Sequence, residues 1–316
     1  RMQRLVAVLA ASLFLVTPVR LAASQGQRAD TSFDVSVDRP VYRDTHPLVL
    51  FDEGHNNRHG VSSTYGPFAR LLENDGYIVR PDSAARFSEE RLAGVRVLAI
   101  VNAMGPREKR DSPAFGTEEI ALVRSWVRQG GSLLIVTDHY PFGDAVAPLA
   151  AAFGVQVGRG VVEDSIGFDP ASPDHTRLEF SVADGRLGRH PITTGWDGRT
   201  AVRRVVTFTG TSLVGDTMAV PLLQLSRGAL DLEPHVRVTV EGDQRRTRVS
   251  YGNGVPAYGR AQALALRYGR GRVVVIGEAA CLTAQIDGDG SPFGMNVPGN
   301  DNKQFVRNTM RWLAGG

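Results

Sequence analysis

Cysteine is almost absent: the 316-residue chain has one, Cys281. That excludes an intrachain disulfide and any zinc site built from clustered cysteines. Stability must come from a packed core, and the length allows one. Dense catalytic signatures are missing too. There is no H-E-x-x-H and no G-x-S-x-G elbow, which removes the commonest zinc-protease and serine-hydrolase patterns. The Gly-rich "RYGRGR" at 267–272 is neither a P-loop nor a G-x-G-x-x-G, and it falls between two strand-like runs. Internal repeats and low-complexity tracts are lacking as well, so a solenoid is excluded.

An excess of one charge sign is the last absence. Leu5 to Val16 is an apolar run flanked by Arg1 and Arg4, with the size of a signal-peptide core and too short to span a bilayer comfortably. "LAAS" at 21–24 supplies small residues for cleavage before Gln25. Residues 1–24 are therefore expected to be a signal peptide, and the mature protein secreted or periplasmic. That leader holds three arginines and no acid. Without it Lys plus Arg falls from 36 to 33, against 33 Asp plus Glu, so the remainder is formally neutral. Neutrality gives no reason to expect nucleic acid, whose binding needs a clustered basic face. No stable membrane span is expected after cleavage. The one dense basic run, "GDQRRTR" at 242–248, reads as a solvated hairpin tip.

What is present is an α/β pattern. Residues 25–46 are polar and aperiodic and read as a linker, with a short edge strand around "FDVSV". From 47 onward strands and helices alternate. "LVLFD", "YIVRP", "VRVLAIVNA" and "SLLIVTD" read as strands, the last two as runs buried on both faces. "STYGPFARLLENDG" places Tyr65, Phe68, Leu71 and Leu72 on one helical face. "TEEIALVRSWVRQGG" reads as a helix capped by Thr117, with Ile120, Val123, Trp126 and Val127 as its inner stripe. "GDAVAPLAAAFG" is a further helix with Asp144 as its cap. "NDNKQFVRNTMRWLAGG" closes the chain. The expectation is a single domain over 47–316. Its fold is a flavodoxin-like, doubly wound parallel sheet with helices on both faces and β-rich additions at about 155–262.

Ligands of open parallel sheets bind outside the carboxyl ends of the strands. The first strand delivers Asp52, Glu53 and His55 to that edge, and the third delivers Asn102. The fourth delivers Asp138, His139 and Tyr140, and the late strand "VVVIGEA" delivers Glu278. Asp301 and Asn302 precede the last helix. Each has a plainer role open to it. Asp52 or Glu53 is either a site carboxylate or a turn cap, and Asp301 either a ligand contact or a helix N-cap. His55 is read as a metal ligand, a general base or a loop residue. Asp, Glu and His without cysteine suit a divalent metal of hard or borderline character.

The ordered set "FDEGHNN", "EEIALVRSWVRQGGSLLIVTDHYPFG", "RHPITTGW", "YGRGRVVVIGEAACLT" and "NDNKQFVRNTMRWL" resembles the class I glutamine amidotransferase-like superfamily over about residues 45–316. More narrowly it is similar to the DUF4350-type branch and to the related domains of gliding-motility and intraflagellar-transport proteins. The resemblance implies a nucleophilic cysteine in true amidotransferases at the turn after "LLIVT". This chain has Asp138 and His139 there, and it has no late H-x-E pair. Cys281 follows a different strand and reads as a small buried residue. Glutamine hydrolysis is therefore not expected. Two functions remain. One is a binding domain for a carbohydrate, a cell-envelope component or a protein partner. The other is a hydrolase with a rebuilt site. In it Asp138 or Glu278 serves as general base or metal ligand, His139 and His55 assist, and Asn102 orients substrate.

Overall fold

The computed structural model describes residues 26–241 and 244–316. The expected leader at 1–24 and the hairpin-tip residues Gly242 and Asp243 lie outside the described residues. Among the described residues no helix is long and apolar enough to cross a membrane.

Five parallel strands form the heart of the fold. In spatial order they are Ile78–Asp82, Leu48–Asp52, Val95–Val101, Ser132–Val136 and Gly271–Ile276. Numbered along the chain this order is 2-1-3-4-5, the flavodoxin-type arrangement. Its topological switch point lies between Leu48–Asp52 and Val95–Val101. Side chains alternate through the sheet because strand periodicity is two. Val49, Phe51, Val97 and Ala99 face the layer that holds Phe68 and Leu72 of the helix Gly66–Asn74 and Phe305 and Leu313 of the closing helix Asn302–Ala314. Leu50, Leu98, Ile100 and Leu133 face the opposite layer, with Val123 and Val127 of the helix Thr117–Arg128 and Val146 and Leu149 of Phe142–Ala151. Burial on both faces explains the unbroken apolar runs, each large side chain contributing about 1.5–3 kcal/mol.

The sheet does not end with its parallel part. Ala261–Tyr268 pairs antiparallel with Gly271–Ile276, and Leu213–Gly215, Val155–Val157 and Val220–Gln224 extend it further. The central sheet is thus mixed and mostly parallel in its core. Residues of the β-rich region complete its far side instead of standing apart from it. The same region forms a long hairpin, Ala229–Glu241 with Gln244–Pro256, anchored at its base by Val161–Asp164. A two-stranded sheet, Arg177–Ser181 with Arg204–Phe208, makes up the rest.

Several local expectations change. Residues 26–46 are bound to the body. Arg28–Ala29 pairs with Ala284–Ile286, and Phe33, Val35, Val37 and Tyr42 pack on the core. Their sparse apolar residues fit grooves of the domain, which polarity alone did not reveal. Thr117 does not cap its helix: Gly116 holds that position and makes no side-chain cap. Asp144 lies within its helix and pairs with Arg159 at 2.9 Å.

Candidate functional site

The carboxyl edge of the parallel strands holds two separate clusters. The first fills the switch-point crevice. Asp52 ends its strand fully buried, and its Oδ1 lies 2.8 Å from His55 Nδ1. His55 Nε2 lies 3.2 Å from Glu119 Oε1, which also accepts the Phe87 N–H at 2.7 Å. Asn57 donates to Asp52 Oδ2 and to the Val101 carbonyl, tying the first strand to the third. The imidazole sits between Phe87 and Phe115, with ring centroids at 5.0 and 4.4 Å. Burial would lower its pKa, but hydrogen bonds to the Asp52 and Glu119 carboxylates outweigh burial and raise it to about 9. Burial pushes Glu119 up, and its bonds from His55 and the Phe87 N–H bring it below the usual carboxylate range. This cluster is a carboxylate–imidazolium–carboxylate bridge with both ring nitrogens engaged. It leaves His55 no free nitrogen for base catalysis. Glu53 turns away from it, accepting the Val61 N–H at 2.8 Å and so ordering the following loop.

The second cluster lies one strand further along, at the ends of Ser132–Val136 and Gly271–Ile276. Asp138 and Glu278 are both buried there and raise each other's energy as like charges. Desolvation lifts the Asp138 carboxyl, opposed by the His139 charge and by hydrogen bonds from the His139 and Ala279 N–H groups and the Asn102 side chain. Desolvation lifts Glu278 further, with the Asp138 charge acting in the same direction. Burial, with the Asp138 charge acting on Glu278, keeps the pair partly protonated into the neutral range. Glu278 accepts the Ala280 N–H at 2.7 Å and the Cys281 N–H at 2.8 Å, one on each oxygen.

Asn102 reaches this cluster because its backbone turns sharply, with φ +43° in the left-handed region that asparagine tolerates. Its Oδ1 is buried without a partner among the described residues. His139 is the accessible member, with 26% of its side chain exposed. Its Nδ1 lies 3.0 Å from the Tyr140 carbonyl and 2.8 Å from the Tyr251 hydroxyl. A carbonyl only accepts, so Nδ1 carries the proton. Nε2 faces Asp138 Oδ1 at 3.7 Å, beyond hydrogen-bond length. Tyr140 donates to Asp111 at 3.2 Å, and the Arg159 guanidinium stands over its ring.

Asp301 and Asn302 belong to neither cluster. Asp301 stands at the N-cap position without capping by its side chain; it accepts the Arg203 and Arg204 N–H groups. Asn302 brackets Val206 by accepting its N–H and donating to its carbonyl, and donates also to the Cys281 carbonyl. These two residues secure the closing helix to the β-rich region. Cys281 is buried, and its thiol points at the Glu278 carbonyl. For a divalent metal, no group of three His, Cys, Asp or Glu among the described residues is placed to hold one.

Seven participants escaped sequence reasoning: Asn57, Phe87, Asp111, Phe115, Glu119, Arg159 and Tyr251. Glu119 carried the pattern of a first-turn acid, which hides its reach across to His55. Tyr251 sits in a hairpin strand far from the edge in sequence, and no local signal marks it.

No protein-family model and no curated protein matches the sequence. Solved structures match its fold. The mmIFT52 N-terminal domain aligns with a TM-score of 0.57 at 14% identity, over 85% of this chain and 98% of that domain. The two share a fold. A protein described as ThuA-like from Parabacteroides merdae gives a TM-score of 0.46 at 12% identity, over 86% of this chain and 91% of its own. Another from Bacteroides uniformis gives 0.41 at 12%, over 87% and 94%. Identities this low speak for the fold alone, and no residue role is carried across from them.

Proposed function

We propose that this chain is a non-amidotransferase α/β domain that binds a carbohydrate of the cell envelope at the rim formed by His139, Tyr140 and Asp111. The observation that carries the reading is the internal commitment of the buried acids. Both Glu278 oxygens accept backbone N–H groups, and Asp52 and Glu119 are held by His55. What remains accessible at this edge is an aromatic and hydrogen-bonding surface: the His139 imidazole, the Tyr140 ring and the Asp111 carboxylate. Such groups suit the flat apolar faces and hydroxyl fringes of sugars. The chain presents Thr137, Asp138 and His139 where amidotransferases of the superfamily carry a nucleophilic cysteine. That supports placing it in the DUF4350-type branch. Secretion to the periplasm or beyond is part of the same proposal and rests on the leader-like sequence at 1–24.

Titration calorimetry with soluble peptidoglycan and envelope oligosaccharides tests the reading. Saturable binding that Tyr140→Ala weakens at least tenfold supports it. Binding unaffected by Tyr140→Ala and by His139→Ala would remove the rim from consideration.

A second reading has its own observation. Asp138 and Glu278 are interacting buried carboxyls with raised pKa values, the arrangement that lets one acid stay protonated while its neighbour serves as base. A hydrolase would use that pair, with His139 at its mouth. Hydrolysis of a glycoside or ester reporter that is abolished in Asp138→Asn would replace the binding reading with this one.

A further inference from the structure

We infer that a cavity on the solvent side of the helix Gly66–Asn74 binds a small hydroxylated monocarboxylate, a sugar acid, with its carboxylate on Arg70. The cavity is about 290 Å³ and is distinct from the rim above, so the inference does not depend on that reading. Its size is at the lower end of ligand pockets, about 300 Å³ and upward, which suits a single monosaccharide unit.

Arg70 carries the argument. It projects from the helix opposite the buried Phe68, Leu71 and Leu72, and it lines the cavity. Its guanidinium makes no hydrogen bond or ion pair among the described residues. Nε is shielded from water and has no hydrogen-bond partner among the described residues. Arg307, by contrast, is paired with Asp75 at 2.9 Å. An arginine left with a buried, unbonded Nε–H is out of balance until an acceptor arrives. The edge formed by Nε–H and a neighbouring Nη–H matches the two oxygens of a carboxylate.

The rest of the lining narrows the ligand. Glu73, one helical turn from Arg70, lines the same cavity, so the site is formally neutral. A single carboxylate brings the site to one net negative charge and a dianion to two beside Glu73, so the singly charged ligand fits it better. Thr31 and Ser62 add hydroxyl groups that can exchange hydrogen bonds with ligand hydroxyls. Val61, Pro67 and Val79 provide an apolar wall for ring carbons. A hydroxylated ring bearing one carboxylate satisfies all three surfaces together.

The test is calorimetry on the full chain with sodium glucuronate, sodium gluconate, glucose and inorganic phosphate. Glucuronate or gluconate should bind saturably. Arg70→Gln should weaken that binding at least tenfold, and Arg70→Lys several-fold, because an ammonium cannot present two parallel donors. Glucose should bind at least tenfold more weakly than glucuronate. Thermal melting of Arg70→Gln should match wild type, since Arg70 supports no contact in the fold. Should that variant melt early, Ser62→Ala and a phosphate competition series give the same readout on a surface residue. Absence of saturable binding by both sugar acids overturns the inference, as does binding indifferent to Arg70. Phosphate binding as tight as glucuronate overturns the assignment to a monocarboxylate.

Discussion

Replacing His55 by glutamine tests the charge assigned to the switch-point crevice. In the folded protein the imidazole has a pKa of about 9, against 6.5 when unperturbed. That difference corresponds to about 3 kcal/mol at 1.36 kcal/mol per unit. The side chain is 4% exposed, so solvent screening takes little away. Because the folded pKa is raised, this stabilisation is fully present below pH 6.5 and is lost as pH rises through about 9. His55→Gln removes the cation while leaving Asp52 and Glu119 in place. At pH 6 the variant should be less stable by at least about 3 kcal/mol, in line with breaking a buried ion pair. Near pH 10 the deficit should shrink by about the same amount. Wild type also loses stability over this range through Asp138 and Glu278, whose folded pKa values are raised. The informative quantity is therefore the difference between the two proteins at each pH. Urea unfolding gives it, provided the slopes agree. A deficit constant across the range would mean that His55 is neutral in the fold and that the bridge is not ionic.

Arg307→Ala should cost about 3–5 kcal/mol in urea unfolding, because Asp75 is fully buried and both its oxygens accept from that guanidinium; a loss under 1 kcal/mol would show that Asp75 finds other donors. Gly76→Ala should lower stability by more than about 2 kcal/mol, since its φ of +95° lies in the left-handed region and an added Cβ would sit 1.9 Å from the Tyr42 carbonyl oxygen; wild-type melting would contradict that backbone path. Asp138→Asn should flatten the fall in stability as pH rises through neutrality. Burial and the Asp138 charge both raise Glu278, whose contribution is held at acid pH and lost as pH climbs through its folded pKa. An unchanged pH profile would uncouple the two carboxyls.

The sheet was readable in the sequence because burial on both faces leaves a simple trace. Runs such as "VRVLAIV" and "SLLIV" have few alternatives, and Gly76 and Gly130 stop the intervening helices. The crossover rules then put both helix layers where they are found. Much of the edge was readable for the same reason: polar residues directly after a buried strand emerge on its carboxyl side. Asp138, His139, Glu278 and Asn102 meet accordingly. Side-chain direction was not readable. Nothing in "DEGHNN" says that His55 turns to Glu119, a contact 64 residues away, or that Glu53 turns toward Val61. Asp301 and Asn302 also looked like edge residues, yet their partners are the backbone of residues 203, 204, 206 and 281. Such contacts depend on how a distant insertion folds back.

That insertion also bears on where a ligand can approach. In a sheet of this order the crevice between Leu48–Asp52 and Val95–Val101 is the usual entry point. Here it is occupied by the His55 imidazole and its flanking phenylalanines, and His55 is 5% exposed. Opening it would separate a buried imidazolium from two carboxylates, which is costly. Approach is easier one strand further on, where Asp138 and Glu278 lie beneath His139. The wall there includes Tyr251 of the long hairpin, bonded to His139. The β-rich region therefore shapes the accessible edge as well as extending the sheet. A variant that loses the Tyr251 hydroxyl would free the His139 imidazole from one of its two oxygen partners. On the binding proposal Tyr251→Phe should weaken carbohydrate binding several-fold through a less ordered His139. On the hydrolytic alternative it should shift the pH profile of turnover, because the neighbour of the proton-bearing Nδ1 has changed.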